Sequence, residues 1–283
     1  MRSHSFNHTG IELPVIGQGT WDMPEHGARR TEAIRAIRRG IELGMTHLDT
    51  AEMYGAGEVE RLLGEAIAGV PRDAIFVASK VLPSNATYKG TIDACERSLR
   101  TLGLEYLDLY MLHWPSNVPL HETMRALGDL VHAGKTRFVG VSNFDLDEML
   151  EARELLDEIP LACNQVLYHV RERSIEHRLI PAAQAANIAI VAYTPFGRGK
   201  FPGATSNGGA VLARVAQKHG ATVRQVILAF LTREPNLFAI PKASTVAHVE
   251  ENAGAGDLQL DATDIAAIDA AFPMGREGPL ATL

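Results

Sequence analysis

Four side chains of the kinds that move protons stand at or just past the ends of separate short apolar segments. Asp49 closes Thr46-His47-Leu48, and Tyr54 follows after Thr50-Ala51-Glu52-Met53. Lys80 closes Ile75-Phe76-Val77-Ala78-Ser79, and His113 with Trp114 closes the run that starts at Tyr106. A lysine inside an apolar segment needs a counter-charge, and Asp49 can supply it. An ammonium beside a phenol favours the phenolate. Lys80 is therefore expected to lower the pKa of Tyr54 and make it a better proton donor near neutral pH. His113 can then donate a hydrogen bond to a carbonyl oxygen and orient it. Together the four types point to acid–base chemistry on a carbonyl. The plainer alternative is a barrel-end salt bridge with two aromatic plugs, in which Tyr54 only packs and Asp49 only caps.

To bring these residues to one mouth, the chain must place several strand ends side by side. Strand-like and helix-like segments alternate along it. Strands are expected at Val15–Trp21, Thr46–Ala51, Ile75–Val81, Leu107–His113, Arg137–Val141, Leu161–Leu167, Ile188–Tyr193 and Leu237–Pro241. Helices are expected at Thr31–Leu43, Val59–Ala68, Thr91–Leu102, Glu122–His132, Leu146–Leu156, Ser174–Ala186, Ala210–His219 with Val223–Arg233, and Val246–Ala253. Eight such pairs make a (β/α)8 TIM barrel, an α/β fold whose active site gathers at the carboxyl ends of the strands. A hairpin from Phe6 to Leu13, turning at Asn7-His8-Thr9-Gly10, precedes the barrel. A last helix, Ala262–Ala271, lies outside the repeat. Residues 1–283 read as a single domain.

Composition narrows the function classes. A net charge of −7 gives no sign of nucleic acid or membrane as a partner, and no apolar run is long enough to span a bilayer. The start, Met1-Arg2-Ser3-His4-Ser5-Phe6, lacks the apolar stretch of a signal peptide. Cys95 and Cys163 form neither a disulfide framework nor a zinc spacing. A cytoplasmic setting and no metal are therefore expected. The arginines of Arg29–Arg39 read as a solvated helix face.

Further matches run in order along the chain: Gly17-Gln18-Gly19-Thr20-Trp21, Leu48-Asp49-Thr50-Ala51 with Tyr54, Ser79-Lys80-Val81, His113-Trp114, Gly140-Val141-Ser142-Asn143-Phe144, Asn164-Gln165, Ala192-Tyr193-Thr194-Pro195 and Ile240-Pro241-Lys242. On these the whole chain resembles the aldo-keto reductase family. Thr20-Trp21, Ala51-Glu52-Met53-Tyr54 and Ile240-Pro241-Lys242-Ala243 bring it near the bacterial methylglyoxal reductases. The resemblance implies NADPH bound without a Rossmann domain, with NADH as the weaker alternative. The catalytic set it implies is Asp49, Tyr54, Lys80 and His113.

Ser142, Asn143 and Gln165 would hold the nicotinamide carboxamide, although Asn143 could equally cap the next helix. Tyr193 would stack on the ring, with Thr20, Trp21 and Asp49 alongside. Thr194, Phe196 and Gly197 match the pyrophosphate loop, where phenylalanine replaces the more usual leucine. Lys242, Ser244 and Thr245 match the site for the adenosine 2′-phosphate, at a helix N-terminus, and Pro241 before them is also expected to bind the cofactor. Glu251 and Asn252 match the residues beside the adenine. His248 departs from the arginine of many NADPH-specific relatives and lacks its fixed charge. Trp21, Met23, Met53, Tyr54, His113, Trp114 and Phe144 would ring the substrate mouth. Met274 to Leu283 leave room for only a short flap, which suits small aldehydes and dicarbonyls.

The implied activity is NADPH-dependent reduction of such carbonyls by a monomer. Two rivals belong to other classes. A cofactor-binding sensor on the same barrel would lack turnover of any aldehyde, and the intact four-residue set speaks against it. A metal-dependent hydrolase would need a clustered His/Asp ligand set, which the strand ends lack.

Overall fold

Short buried strands alternate with helices that are apolar on one side, and the strands associate in chain order. The computed structural model describes residues 1–6, 9–198, 201–203 and 205–283. A hairpin of β1 (Ser3–Ser5) and β2 (Glu12–Pro14) comes first, paired antiparallel from Ser3 opposite Pro14. Eight parallel strands follow: β3 (Gln18–Gly19), β4 (His47–Asp49), β5 (Phe76–Val81), β6 (Leu107–Leu112), β7 (Thr136–Ser142), β8 (Leu161–Leu167), β9 (Ala189–Tyr193) and β10 (Leu237–Ala239). Every residue of β5, β6 and β8 is buried, as parallel strands covered on both faces require.

The sheet curls until its two edges meet. Parallel bridges join Ile16 to Ala239 and Gly19 to Lys242, and the Gly17 amide donates to the Ala239 carbonyl at 2.8 Å. Glycine is required at this seam. A Cβ on Gly17 or Gly19 would lie 2.6 Å from the His47 or Ile240 carbonyl oxygen. The hairpin closes the barrel floor, where the Phe6 ring meets Phe76 and Phe238 edge-on at 5.3 and 5.5 Å. The first of its paired strands lies ahead of the Phe6–Leu13 span expected from sequence, the second overlaps that span at Glu12 and Leu13, and Asn7 and His8 fall outside the described residues.

The helices are α1 (Gly27–Glu42), α2 (Glu58–Ile67), α3 (Tyr88–Leu102), α4 (Leu120–His132), α5 (Leu146–Leu155), α6 (Leu179–Ala185), α7 (Asn207–His219), α8 (Val223–Leu231), α9 (Val246–Ala253) and α10 (Ala262–Ala271). Two differ from expectation in a telling way. α1 begins at Gly27, ahead of Thr31, because Ala28, Arg29 and Arg30 extend it without a side-chain cap to announce its start. The expected Ser174–Ala186 helix is a 3₁₀ turn, Ser174–Glu176, followed by α6. Pro181 sits in the first turn of α6, where its missing N–H removes no intrahelical bond. Among the described residues no helix is long and apolar enough to cross a membrane, and no group of three or more His, Cys, Asp or Glu could hold a metal.

Candidate active site

At the carboxyl ends of β4 and β5, register decides the central contact. Asp49 pairs with Ala78, so Asp49 and Lys80 meet inside the barrel mouth. Lys80 is fully buried and Asp49 is 2% exposed. The Lys80 ammonium donates to both Asp49 carboxylate oxygens and to the Thr50 carbonyl oxygen, each at 2.8 Å. It also stands 3.4 Å from the Tyr54 hydroxyl oxygen. Gln165 Nε2 donates to Asp49 Oδ1 at 2.8 Å. Burial lowers the Lys80 pKa and Asp49 opposes that shift. Three oxygen acceptors keep the group an ammonium.

Tyr54 departs from the sequence expectation. Its pKa is raised, not lowered: burial acts first, and the negative charge of Asp49 adds to it. The reason is that the Lys80 charge is already offset by the carboxylate it grips, so little of it reaches the phenol. Tyr54 therefore carries its proton throughout the neutral range. The His113 ring lies edge-on to Tyr54 with centroids 5.8 Å apart, and stacks on Trp114 at 3.8 Å. Burial, then the positive charge of Lys80, pushes the His113 pKa down to about 2, so its imidazole is neutral. His113 Nδ1 is buried with no hydrogen-bond partner among the described residues.

Asn143 binds this centre together. It follows β7 with φ +61°, a left-handed conformation that asparagine tolerates better than most residues. Its Nδ2 donates to the His113 carbonyl oxygen at 3.0 Å and to Ser142 Oγ at 3.1 Å. Its Oδ1 accepts from the Tyr193 hydroxyl at 2.7 Å. The capping alternative for Asn143 fails, because Asp145 caps α5 in a capping box with Glu148. Ser142 Oγ donates to the Gln165 carbonyl oxygen at 2.9 Å.

These groups line a cavity of about 340 Å³ at the strand ends. Asp49, Tyr54, His113, Trp21, Met53, Trp114, Ser142, Asn143, Gln165, Tyr193, Thr194 and Lys242 all border it. Other expected residues do not. Met23 and Phe144, placed at the substrate mouth from sequence, are buried in the core and outside the lining. Thr20 is buried and donates to the Asp49 carbonyl oxygen at 2.9 Å. Phe196 and Gly197 border a small neighbouring hollow beside Phe201. Pro241 accepts from the Gly19 amide at 3.3 Å at the barrel seam.

Thr245 caps α9, and Lys242 precedes that helix, its side chain without a hydrogen bond or ion pair to another described residue. His248 is exposed on the first turn, Glu251 pairs with Arg224 at 3.2 Å, and Asn252 is buried. Four lining residues were not among the expected site residues: Gly19 and Ile240, which lie within motifs noted in the sequence, and Arg198 and Leu283. Arg198, with φ +51°, lays its guanidinium 4.6 Å from the Trp21 ring, and a basic residue after Gly197 was the signal for it. Leu283 also reaches the cavity, and nothing local in the sequence marks it.

Comparison with known proteins agrees with this architecture. The family model described as the aldo/keto reductase family matches residues 15–272. The chain is 42% identical over 266 residues to methylglyoxal reductase YeaE of Escherichia coli, covering 93% of the chain and 92% of that protein. It is 35% identical to glyoxal reductase of Bacillus subtilis, covering 96% and 94%. A crystal structure of an aldo/keto reductase from Klebsiella pneumoniae in complex with NADP and acetate superposes with a TM-score of 0.91 at 38% identity, over the whole of both chains. With a barrel closed in the same order and a family match across nearly its full length, the chain belongs to the aldo/keto reductase family.

Proposed function

We propose that this protein reduces small aldehydes and dicarbonyls to alcohols with NADPH, with Tyr54 as the general acid. The observation that carries the reading is the Tyr54 hydroxyl 3.4 Å from the ammonium of the buried Lys80–Asp49 pair, with the His113 ring edge-on to Tyr54 at the same cavity. The donor set also fits a nicotinamide dinucleotide. Ser142, Asn143 and Gln165 offer hydroxyl and amide groups, and Tyr193 offers an aromatic face beside them. Thr194 stands in the adjoining lining, with Phe196 and Gly197 next along the loop. Lys242, Ser244, Thr245 and His248 gather at the head of α9 for a 2′-phosphate, with Glu251 and Asn252 further along that helix for the adenine. The bound dinucleotide supplies the hydride; the protein supplies geometry and charge.

The chain's own groups then do three things. His113, neutral, donates a hydrogen bond that orients the carbonyl oxygen. Tyr54 gives its proton to that oxygen. The phenolate left behind faces the Lys80 ammonium at 3.4 Å, which stabilises it once the charge has formed. Trp21, Met53 and Trp114 wall the cavity with apolar surface, which suits a small carbonyl compound. The two buried free cysteines, Cys95 and Cys163, fit a cytoplasmic setting. The test is a panel of aldehydes, glyoxals and ketones followed by cofactor absorbance, with NADPH and NADH compared. No turnover of any member would refute the proposal.

A further inference from the structure

One carboxylate stands where an anionic ligand of α9 would be received. Glu32, on α1, accepts a hydrogen bond from the Val246 amide at 3.3 Å through Oε1. Val246 is the first residue of α9, whose own first turn carries no acidic residue. The free amides and positive end of that helix are thus met by a carboxylate from another element. The other Glu32 oxygen is held by Arg35, one turn further along α1. The two helices are tied again by Arg39 to Glu250 at 2.8 Å. Glu32 is therefore fixed at this point rather than waving from the surface; its side chain is only 27% exposed.

We propose that Glu32 is a specificity-determining residue that weakens this protein's preference for the 2′-phosphorylated dinucleotide. The inference rests on the reading above that Lys242, Ser244 and Thr245 receive the 2′-phosphate. A phosphate drawn to the head of α9 must compete with the Glu32 carboxylate for the Val246 amide and is repelled by its charge. A 2′-hydroxyl meets neither penalty. Arg35 offsets part of the carboxylate's charge, so it opposes Glu32 in this choice. His248 supplies no permanent charge to outweigh the carboxylate.

The test is calorimetric titration of the intact protein with NADP+ and NAD+, without substrate, for wild type, Glu32→Gln and Arg35→Ala. Glu32→Gln keeps an acceptor for the Val246 amide and removes the charge. It should tighten NADP+ by roughly two- to fivefold, the usual scale for a charge at a helix terminus, and leave NAD+ unchanged. Arg35→Ala leaves the carboxylate uncompensated and should move NADP+ in the opposite direction, again with NAD+ unchanged. A role confined to packing α1 on α9 would move both dinucleotides together, and that result overturns the proposal. So does an unchanged NADP+ to NAD+ ratio in both variants. If wild type binds neither dinucleotide, the proposed function itself falls. Binding of both with an unaltered ratio removes only the role of Glu32.

Discussion

Replacing Lys80 by methionine separates what the buried pair does for the fold from what it does for chemistry. Methionine fills much of the lysine stem's volume, so the principal loss is the ammonium. In the native protein that ammonium satisfies both Asp49 oxygens and the Thr50 carbonyl at 2.8 Å. Without it, Asp49 stays buried and keeps Gln165 Nε2 on one oxygen only. Breaking a buried ion pair from one side costs about 3–5 kcal/mol, because the remaining charge is stranded. For a chain of this size that is a melting temperature lower by roughly 5–8 °C. Turnover should fall as well, since the phenolate of Tyr54 loses the cation that stands 3.4 Å from its oxygen. Thermal unfolding and steady-state reduction of a small aldehyde measure the two effects. The double variant Lys80→Met/Asp49→Asn then removes the stranded charge. It should recover most of the lost stability and none of the lost turnover. Recovery of turnover would show that the ammonium serves only to neutralise Asp49. A Lys80→Met protein with wild-type melting and near-normal turnover would refute the whole account of the pair.

Three further outcomes follow from the site. Tyr54→Phe keeps the ring and removes the proton, so turnover should drop by about 10²–10⁴ while calorimetric affinity for NADP+ holds; near-normal reduction would remove Tyr54 as the acid. Lys242→Ala should raise KM for NADPH roughly tenfold more than KM for NADH, the scale of one charge-assisted contact, and equal rises would place Lys242 on the shared part of the cofactor. His47, fully buried with its pKa lowered to about 4 by desolvation, and His113, lowered to about 2, both titrate below the ordinary histidine value of 6.5. The unfolded chain thus takes up these protons first as pH falls, so their stabilising contribution is full above pH 6.5. It is lost from there down to pH 4 for His47 and towards pH 2 for His113. The unfolding free energy from urea titrations should fall through that window by up to roughly 1.4 kcal/mol per pH unit for each ring. Ring nitrogen shifts should remain those of neutral imidazole at pH 5, and a protonated His113 at pH 6 would contradict the model of a neutral donor.

The order of strands and helices was legible because each β–α unit carries its own signal. Continuous apolar runs such as Leu107–Leu112 appear as strands, and Leu161–Leu167 and Val246–Ala253 appear with the very bounds that pattern dictates. Where a boundary slipped, the information was absent locally. Nothing before Ala28 marks the start of α1, and the split ahead of α6 depends on where Pro181 falls within a turn. In the site, strand-end polar residues were visible one at a time, and register then joined them. Depth was not visible. Met23 and Phe144 have the side chains of a pocket wall, but sequence periodicity places them only near the mouth, and packing takes both inward. Leu283 is the reverse case: it reaches the cavity from the far end of the chain, a long-range contact that no local pattern encodes.

The sign of the Tyr54 shift shows most clearly what three dimensions add. A lysine and a tyrosine brought to one mouth predict a phenol that loses its proton more easily. That inference treats the ammonium as free. Here Lys80 is committed to Asp49 by two 2.8 Å contacts, and Tyr54 is buried beside the resulting pair. Desolvation and the nearby carboxylate then govern the resting phenol and hold the proton on it. This suits a general acid better than a lowered pKa would, because the group stays loaded at every neutral pH. The ammonium still contributes, but at a different moment. If the proton leaves for a carbonyl oxygen as proposed, negative charge develops on the phenolic oxygen 3.4 Å from Lys80, in a buried site. An interaction that strengthens only as charge develops lowers the barrier without binding the ground state more tightly. On the proposed mechanism, Lys80 acts in the transition state of proton transfer, whereas burial first and then Asp49 set the resting acidity of Tyr54.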